Sequence, residues 1–238
     1  MKLKPRLRAV AEMVRAGDVT ADIGTDHGYL PVFLVLRKNC PRAIAVEKSP
    51  RNARMAEKTV ARFRLENKVE IRLGDGFHAL GDADGVHTVV LAGLGGKTIC
   101  QLLAAATAAG EDRLSRYRRL VLQPMGESGM LRRWLVAHGF CLVQERLARE
   151  RGRFYEIMAA EPGRQRVDDP FLLELGPVLV RERDPLLVPW LEKKLHCWEA
   201  IARGLRRSGC EKDAARLHYY ERRCRQLKGV LDHAGYRP

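Results

Sequence analysis

The sequence predicts a Rossmann-like α/β fold, an open and mostly parallel sheet of seven strands between helices, followed by an α-helical hairpin of coiled-coil type. Three observations carry that expectation. Short apolar runs alternate with helical patterns through the first two thirds of the 238 residues, the order that builds parallel sheets. Several of these runs end in a carboxylate or a glycine cluster, and open parallel sheets bind ligands at the carboxyl ends of their strands. Past residue 162 the apolar residues step by threes and fours with no long strand signal. The change falls at PGRQRVDDP, residues 162–170, a polar stretch with two prolines. A first domain is therefore expected over residues 1–161 and a second over residues 162–238.

Leu3, Leu7, Val10 (or Ala11) and Val14 recur at helical spacing ahead of Gly17, which predicts a helix over residues 3–16 packed on the sheet, with Arg6 and Arg8 on its other side. The first strand is expected at residues 19–23, followed by a tight turn and a helix opening at Leu30 and Pro31, because proline suits a first helical turn. The turn reads Asp22-x-Gly24-x-Asp26-x-Gly28. That is the D/E-x-G-x-G-x-G pattern of class I methyltransferases that bind S-adenosylmethionine (SAM), with Asp26 in place of the middle glycine. A dinucleotide-binding turn would read G-x-G-x-x-G. Asp22, Gly24, Thr25, Asp26, His27, Gly28 and Tyr29 are thus candidate cofactor contacts. Asp26 could equally cap the helix, and Tyr29 could equally be a core aromatic.

The second strand, residues 43–46, ends in Glu47, followed by Lys48. An acidic residue about 20 positions after the glycine turn is where such folds hold ribose hydroxyls. A helix is expected over residues 50–66 and a third strand over 69–73, which runs into Gly74-Asp75-Gly76. A carboxylate between glycines at a strand end can accept from a purine amino group where the backbone bends sharply. The fourth strand, residues 86–92, ends in Ala92 and the cluster Gly93-Leu94-Gly95-Gly96, a run that suits close backbone approach to a ligand. Ala92 and Gly93 are assigned to the cofactor; Leu94, Gly95 and Gly96 are assigned to the substrate. A helix follows over 97–109, a fifth strand over 119–123 with Gln123 and Pro124 at the ligand edge, and a helix over 130–138. The last strands, 141–147 and 154–161, should pair as an antiparallel hairpin.

In the second domain Leu191, Leu195, Trp198, Ala202 and Leu205 form one stripe and Leu217, Tyr220, Cys224, Leu227 and Leu231 another, with Ser208-Gly209 as hinge. The outer face carries Arg206, Arg207, Arg222 and Arg223 among other cations. The formal charge of +14 is spread over both parts of the chain and points to a polyanionic partner, of which nucleic acid is the commonest. Six scattered cysteines without a C-x-x-C or metal-ligand spacing fit a reduced, cytoplasmic protein without a metal. No signal peptide is read at the start, and Leu30–Leu36, the longest purely apolar run, is too short for a bilayer, so no membrane is expected.

Together these stretches resemble the bacterial TrmK family of tRNA (adenine-N1)-methyltransferases acting on adenine 22. The resemblance rests on RLRAVAEMV, DIGTDHGYLP, the strand ending in Glu47, RLGDGF, LAGLGG, LQPMGESGMLRRWL, FYEIMAAE and the helical tail. Two residues depart from the family pattern: Leu94 where the loop usually has Met, and Met125 where Asn is usual. The resemblance implies a SAM-binding methyltransferase domain and a C-terminal helical domain that helps grip tRNA, in a protein expected to be a monomer. Methylation at N1 leaves a cationic adenine, so a carboxylate near the transferred methyl would stabilise the developing charge. Asp26, supported by His27, is the candidate; Arg6, Leu94, Gly95, Gly96, Gln123, Pro124 and the four tail arginines are the candidate RNA contacts. A small-molecule methyltransferase would gain nothing from the basic tail, and a tRNA scaffold without catalysis would not need Asp22, Glu47 and Asp75 together.

Overall fold

The computed structural model describes residues 1–107, 114–208 and 211–233. Its strands β1 (Thr20–Ile23), β2 (Ala43–Glu47), β3 (Val69–Leu73), β4 (Thr88–Leu94), β5 (Arg119–Pro124), β6 (Phe140–Glu150) and β7 (Arg153–Pro162) form one sheet in the order β3-β2-β1-β4-β5-β7-β6. β1 to β5 run parallel, while β7 is antiparallel to both β5 and β6. The chain moves outward from β1 to β3 and then returns to place β4 on the other side of β1. This reversal makes a crevice above β1 and β4, because the crossovers on either side leave in opposite directions.

Strand residues alternate between two apolar layers. Val89 and Leu91 of β4 and Leu120 and Leu122 of β5 share one core with Ile99, Leu103, Leu131 and Leu135, which belong to α4 (Gly96–Thr107) and α5 (Ser128–Ala137). Val90 and Val121 point to the opposite core, among residues of α1 (Pro5–Met13), α2 (Tyr29–Arg37) and α3 (Pro50–Arg62). Both faces of the sheet are therefore covered, as a parallel sheet requires.

Some element ends move from their expected places for local reasons. α1 stops at Met13 because Val14 turns extended (ψ 131°), and Gly17 instead shapes the turn into β1, donating its N–H to the Asn39 carbonyl. α3 starts where expected, with Pro50 in its first turn and the Ser49 hydroxyl accepting from the Asn52 N–H, but ends at Arg62. The β6–β7 hairpin turns through Arg151 and Gly152, both at positive φ, as a two-residue hairpin turn requires.

The first compact unit extends through Val178 and the second covers Leu179–Pro238, so the composition break at residue 162 lies inside the first unit. The fully buried Arg132 explains the extension. Its guanidinium bonds Glu145 (2.6 Å) and Glu156 (2.8 Å) and donates to the Leu173 carbonyl, while Glu145 also accepts the Val178 N–H at 2.8 Å. Residues of α6 (Leu172–Leu175) and the start of α7 (Pro177–Glu182) are thereby tied into the first core.

Within the second unit, α8 (Leu187–Ser208) and α9 (Ala214–His233) use the expected stripes. Leu191, Ala202, Cys224, Leu227 and Leu231 are buried, and Leu195, Trp198, Leu205, Leu217 and Tyr220 are half-buried. The ion pairs Glu199–Lys228 and Arg206–Glu221 align the two helices antiparallel. Gly209, the other half of the expected hinge, lies outside the described residues.

Candidate active site

A cleft of about 400 Å³ opens at the carboxyl ends of β1 to β4. Its floor is the turn after β1, where Gly24, Asp26 and Gly28 have φ of 80°, 56° and 69°. Asp26 thus keeps the left-handed backbone of the glycine it replaces, a conformation aspartate tolerates better than most residues. The Val46 carbonyl accepts from the N–H groups of Gly24 (2.8 Å) and Thr25 (3.2 Å). Glu47, buried at the end of β2, accepts the Asp26 N–H at 3.1 Å with one carboxylate oxygen and the Ser49 N–H at 2.9 Å with the other. It braces the turn after β1 against the start of α3.

Asp22 is 4% exposed. Burial pushes its carboxyl up to about 6; Thr25 opposes this, the neighbouring Glu47 charge adds to it, and Arg6 draws it down. Arg6 reaches the cleft from α1 with three anchors. Its backbone N–H donates to Glu150 (3.3 Å), Nη1 donates to Gln123 Oε1 (2.5 Å), and the guanidinium lies 5.8 Å from the Tyr155 ring centre. Across from Arg6, β4 bulges between Ala92 and Leu94. Gly93 there has φ 83°, and a Cβ on it would come within 3.4 Å of Arg6 Nη1. The His27 ring lies 5.6 Å from that of Tyr29, with Nε2 3.5 Å from Asp26 Oδ2 and a buried Nδ1 that has no hydrogen-bond partner.

Most of the residues singled out from the sequence meet here. Arg6, Asp22, Gly24, Thr25, Asp26, His27, Tyr29, Glu47, Lys48, Gly74, Asp75, Gly76, Ala92, Gly93 and Leu94 all line the cleft. Others are elsewhere. Gly28 faces α3, where a Cβ would sit 3.1 Å from that of Ala56. Gly96 lets α4 approach the loop before α5, since a Cβ there would be 2.6 Å from the Gly126 carbonyl, and Gly95 lies beside Thr98. Gln123 and Pro124 are buried in β5, and the Gln123 side chain is occupied within the protein, accepting from Arg6 and donating to the Pro124 carbonyl at 2.7 Å. Of the tail arginines, Arg206 pairs with Glu221 and Arg223 lies over the Tyr219 ring at 5.1 Å, while Arg207 and Arg222 are exposed. The cleft also has lining residues that sequence reasoning did not assign to it, the apolar Leu7, Ile23, Leu30, Val46 and Leu102 together with Thr98. Apart from Thr98, their residue types match those of the core, so the sequence carried no separate signal for them.

Among the described residues no cluster of histidine, cysteine, aspartate or glutamate is suited to hold a metal, and no helix is long and apolar enough to cross a membrane.

The sequence profile of a family described as Methyltransferase domain matches residues 3–158. The chain is 33% identical to the tRNA (adenine(22)-N(1))-methyltransferase of Bacillus subtilis over 98% of both chains. The crystal structure of the Bacillus subtilis m1A22 tRNA methyltransferase TrmK superposes with a TM-score of 0.85 at 29% identity, covering 97% of this chain and 99% of that one. A Streptococcus pneumoniae structure in complex with S-adenosyl-L-methionine superposes with a TM-score of 0.85 at 31% identity, covering 97% of this chain and all of the other.

Proposed function

The chain belongs to the TrmK family of tRNA (adenine(22)-N(1))-methyltransferases, and from that membership we propose that it transfers the methyl group of SAM to N1 of adenine 22 in tRNA. The observation that carries this reading to the residues is the convergence of Asp22, Glu47 and Asp75 in one cleft beside the glycine turn. The cleft's volume is that of a small-molecule site, and the buried, unpartnered Nδ1 of His27 lacks the polar neighbour that a ligand would bring.

The order of the strands supports the following roles. Asp75 follows β3 and takes the adenine amino group; Glu47 ends β2 and takes the ribose hydroxyls; Asp22 and Gly24 close β1 at the methionyl end. Both Glu47 oxygens already accept a backbone N–H, and each carboxylate oxygen has a second lone pair for a hydroxyl. When bound, SAM supplies an electrophilic methyl group on a sulfonium. Adenine N1 has a free lone pair at neutral pH, so the residues have mainly to orient the base and answer the positive charge that develops on it. Asp26 in the cleft lining provides the answering negative charge, with His27 next to it and the half-exposed Tyr29 ring as a surface for the base. A base paired or stacked in RNA must first turn out to reach this site. The basic second unit grips the tRNA, and the enzyme works in the cytoplasm as a monomer.

Incubation with labelled SAM and unmodified tRNA, followed by nucleoside mapping, should place 1-methyladenosine at position 22. Label at another atom or position would overturn the assignment.

A further inference from the structure

We propose that Arg6 binds the carboxylate of the methionyl end of SAM and that Gln123 is the positioning residue that aims it. The proposal rests on the SAM reading above and moves both residues from the RNA to the cofactor. The sheet order β3-β2-β1-β4 lays the cofactor out along the edge, adenine over β3 and ribose over β2. The amino-acid end then falls over β1 and β4. That end is a zwitterion, an ammonium and a carboxylate on one carbon. Asp22 at β1 matches the ammonium, and the carboxylate needs a cation on the β4 side. Arg6 stands there, its Nη1 3.4 Å from where a Gly93 Cβ would be, so the missing side chain leaves the guanidinium open to the cleft. Lys48, the other cation of the lining, is exposed and follows Glu47 on the ribose side.

Arg6 is also held as a specific binder needs to be. Gln123 accepts from one nitrogen and Tyr155 lies against the flat face, and a guanidinium has five N–H donors, so a fork remains for a carboxylate. Gln123 is fully buried, which leaves an exposed phosphate no access to its amide. An RNA phosphate on Arg6 is the competing reading.

The test compares SAM with decarboxylated SAM, which keeps the sulfonium and ammonium but lacks the carboxylate. Binding of each is measured by calorimetry without tRNA. The cleft's acidic groups alone favour the more cationic analogue, yet the intact protein should bind SAM more tightly by roughly ten- to hundredfold, the range of a charge-assisted hydrogen bond. Arg6→Gln should lose affinity for SAM and not for the analogue, collapsing the ratio; Arg6→Lys should restore part of it. Gln123→Ala should lower the ratio less, whereas a merely structural defect would weaken both ligands together. Equal binding of the two ligands by the unaltered protein overturns the proposal without any variant. Equal losses in Arg6→Gln overturn it too, as does an unchanged ratio with a tRNA salt slope reduced by about 0.7 to 0.9, the mark of one phosphate no longer neutralised. If neither ligand bound the unaltered protein, the SAM reading itself would fall.

Discussion

Asp22 shows how much of the site a single residue's surroundings decide. Its place at the end of the first strand is legible from the D-x-G spacing, but its late ionisation depends on burial beside Glu47, which only the assembled sheet provides. Its folded pKa of about 6 stands above the ordinary 3.8. As pH rises from about 4 to 6 the unfolded chain releases this proton first, so the folded state loses stability across that window and is level above it. A ligand ammonium beside Asp22 favours the ionised carboxylate and reverses the preference. SAM affinity should therefore rise between about pH 5 and 7, with a proton released on binding near pH 6. Calorimetry in buffers of different ionisation enthalpy reads that proton directly, and Asp22→Asn should abolish it. A pH-independent affinity in the unaltered protein would detach Asp22 from the ammonium.

The glycine motif separates what spacing can tell about an element from what it cannot. Gly24, Asp26 and Gly28 all adopt the left-handed backbone that the pattern implies, yet only the first two face the cleft. Gly28 serves the packing of α2 on α3, because Ala56, which belongs to α3, occupies the space its side chain would need. Sequence spacing gives turn conformation; which neighbour presses on the turn depends on helix docking. The same limit explains why the sequence ends β4 too early: its residues past Ala92 read as a glycine loop, whereas pairing with β5 continues through a bulge to Leu94. Gly28→Ala should combine backbone strain with an approach of 3.1 to 3.2 Å to Ala56, costing on the order of 1 to 3 kcal/mol. The expected result is a melting temperature lower by several degrees, read by thermal unfolding without ligand. A variant as stable as its parent would mean that α3 yields freely, and that the glycine is there for the ligand after all.

At the scale of the whole molecule, the period change near residue 162 locates the helical tail but not the edge of the first unit, because the buried Arg132 network crosses it. A polar, proline-bounded stretch reads as a linker, and nothing in its composition reveals that the residues after it complete a buried ion pair. The tail's own seam is legible in its two apolar stripes, whose residues are buried or half-buried, whereas Leu187 and Trp190 of α8 are buried outside them. Its outer charge is less so. Arg206 is answered by Glu221 and Arg216 by Asp213, whereas Arg203, Arg207, Arg222 and Arg225 are exposed. If the second unit grips tRNA, the exposed set should carry the phosphate contacts. Replacing Arg203, Arg207, Arg222 and Arg225 together by Gln should weaken binding to all tRNAs alike and flatten the plot of log affinity against log salt by about 0.7 to 0.9 for each phosphate no longer neutralised. If SAM binds in the cleft, its affinity should be unchanged, because the cleft is lined only by residues of the first unit. Changing Arg206 and Arg216 instead should flatten the slope less, as each already has a carboxylate partner. Full tRNA affinity with an unchanged slope in the first variant would leave the outer face as solvated surface, and the first unit's own positive charge would then have to hold the RNA.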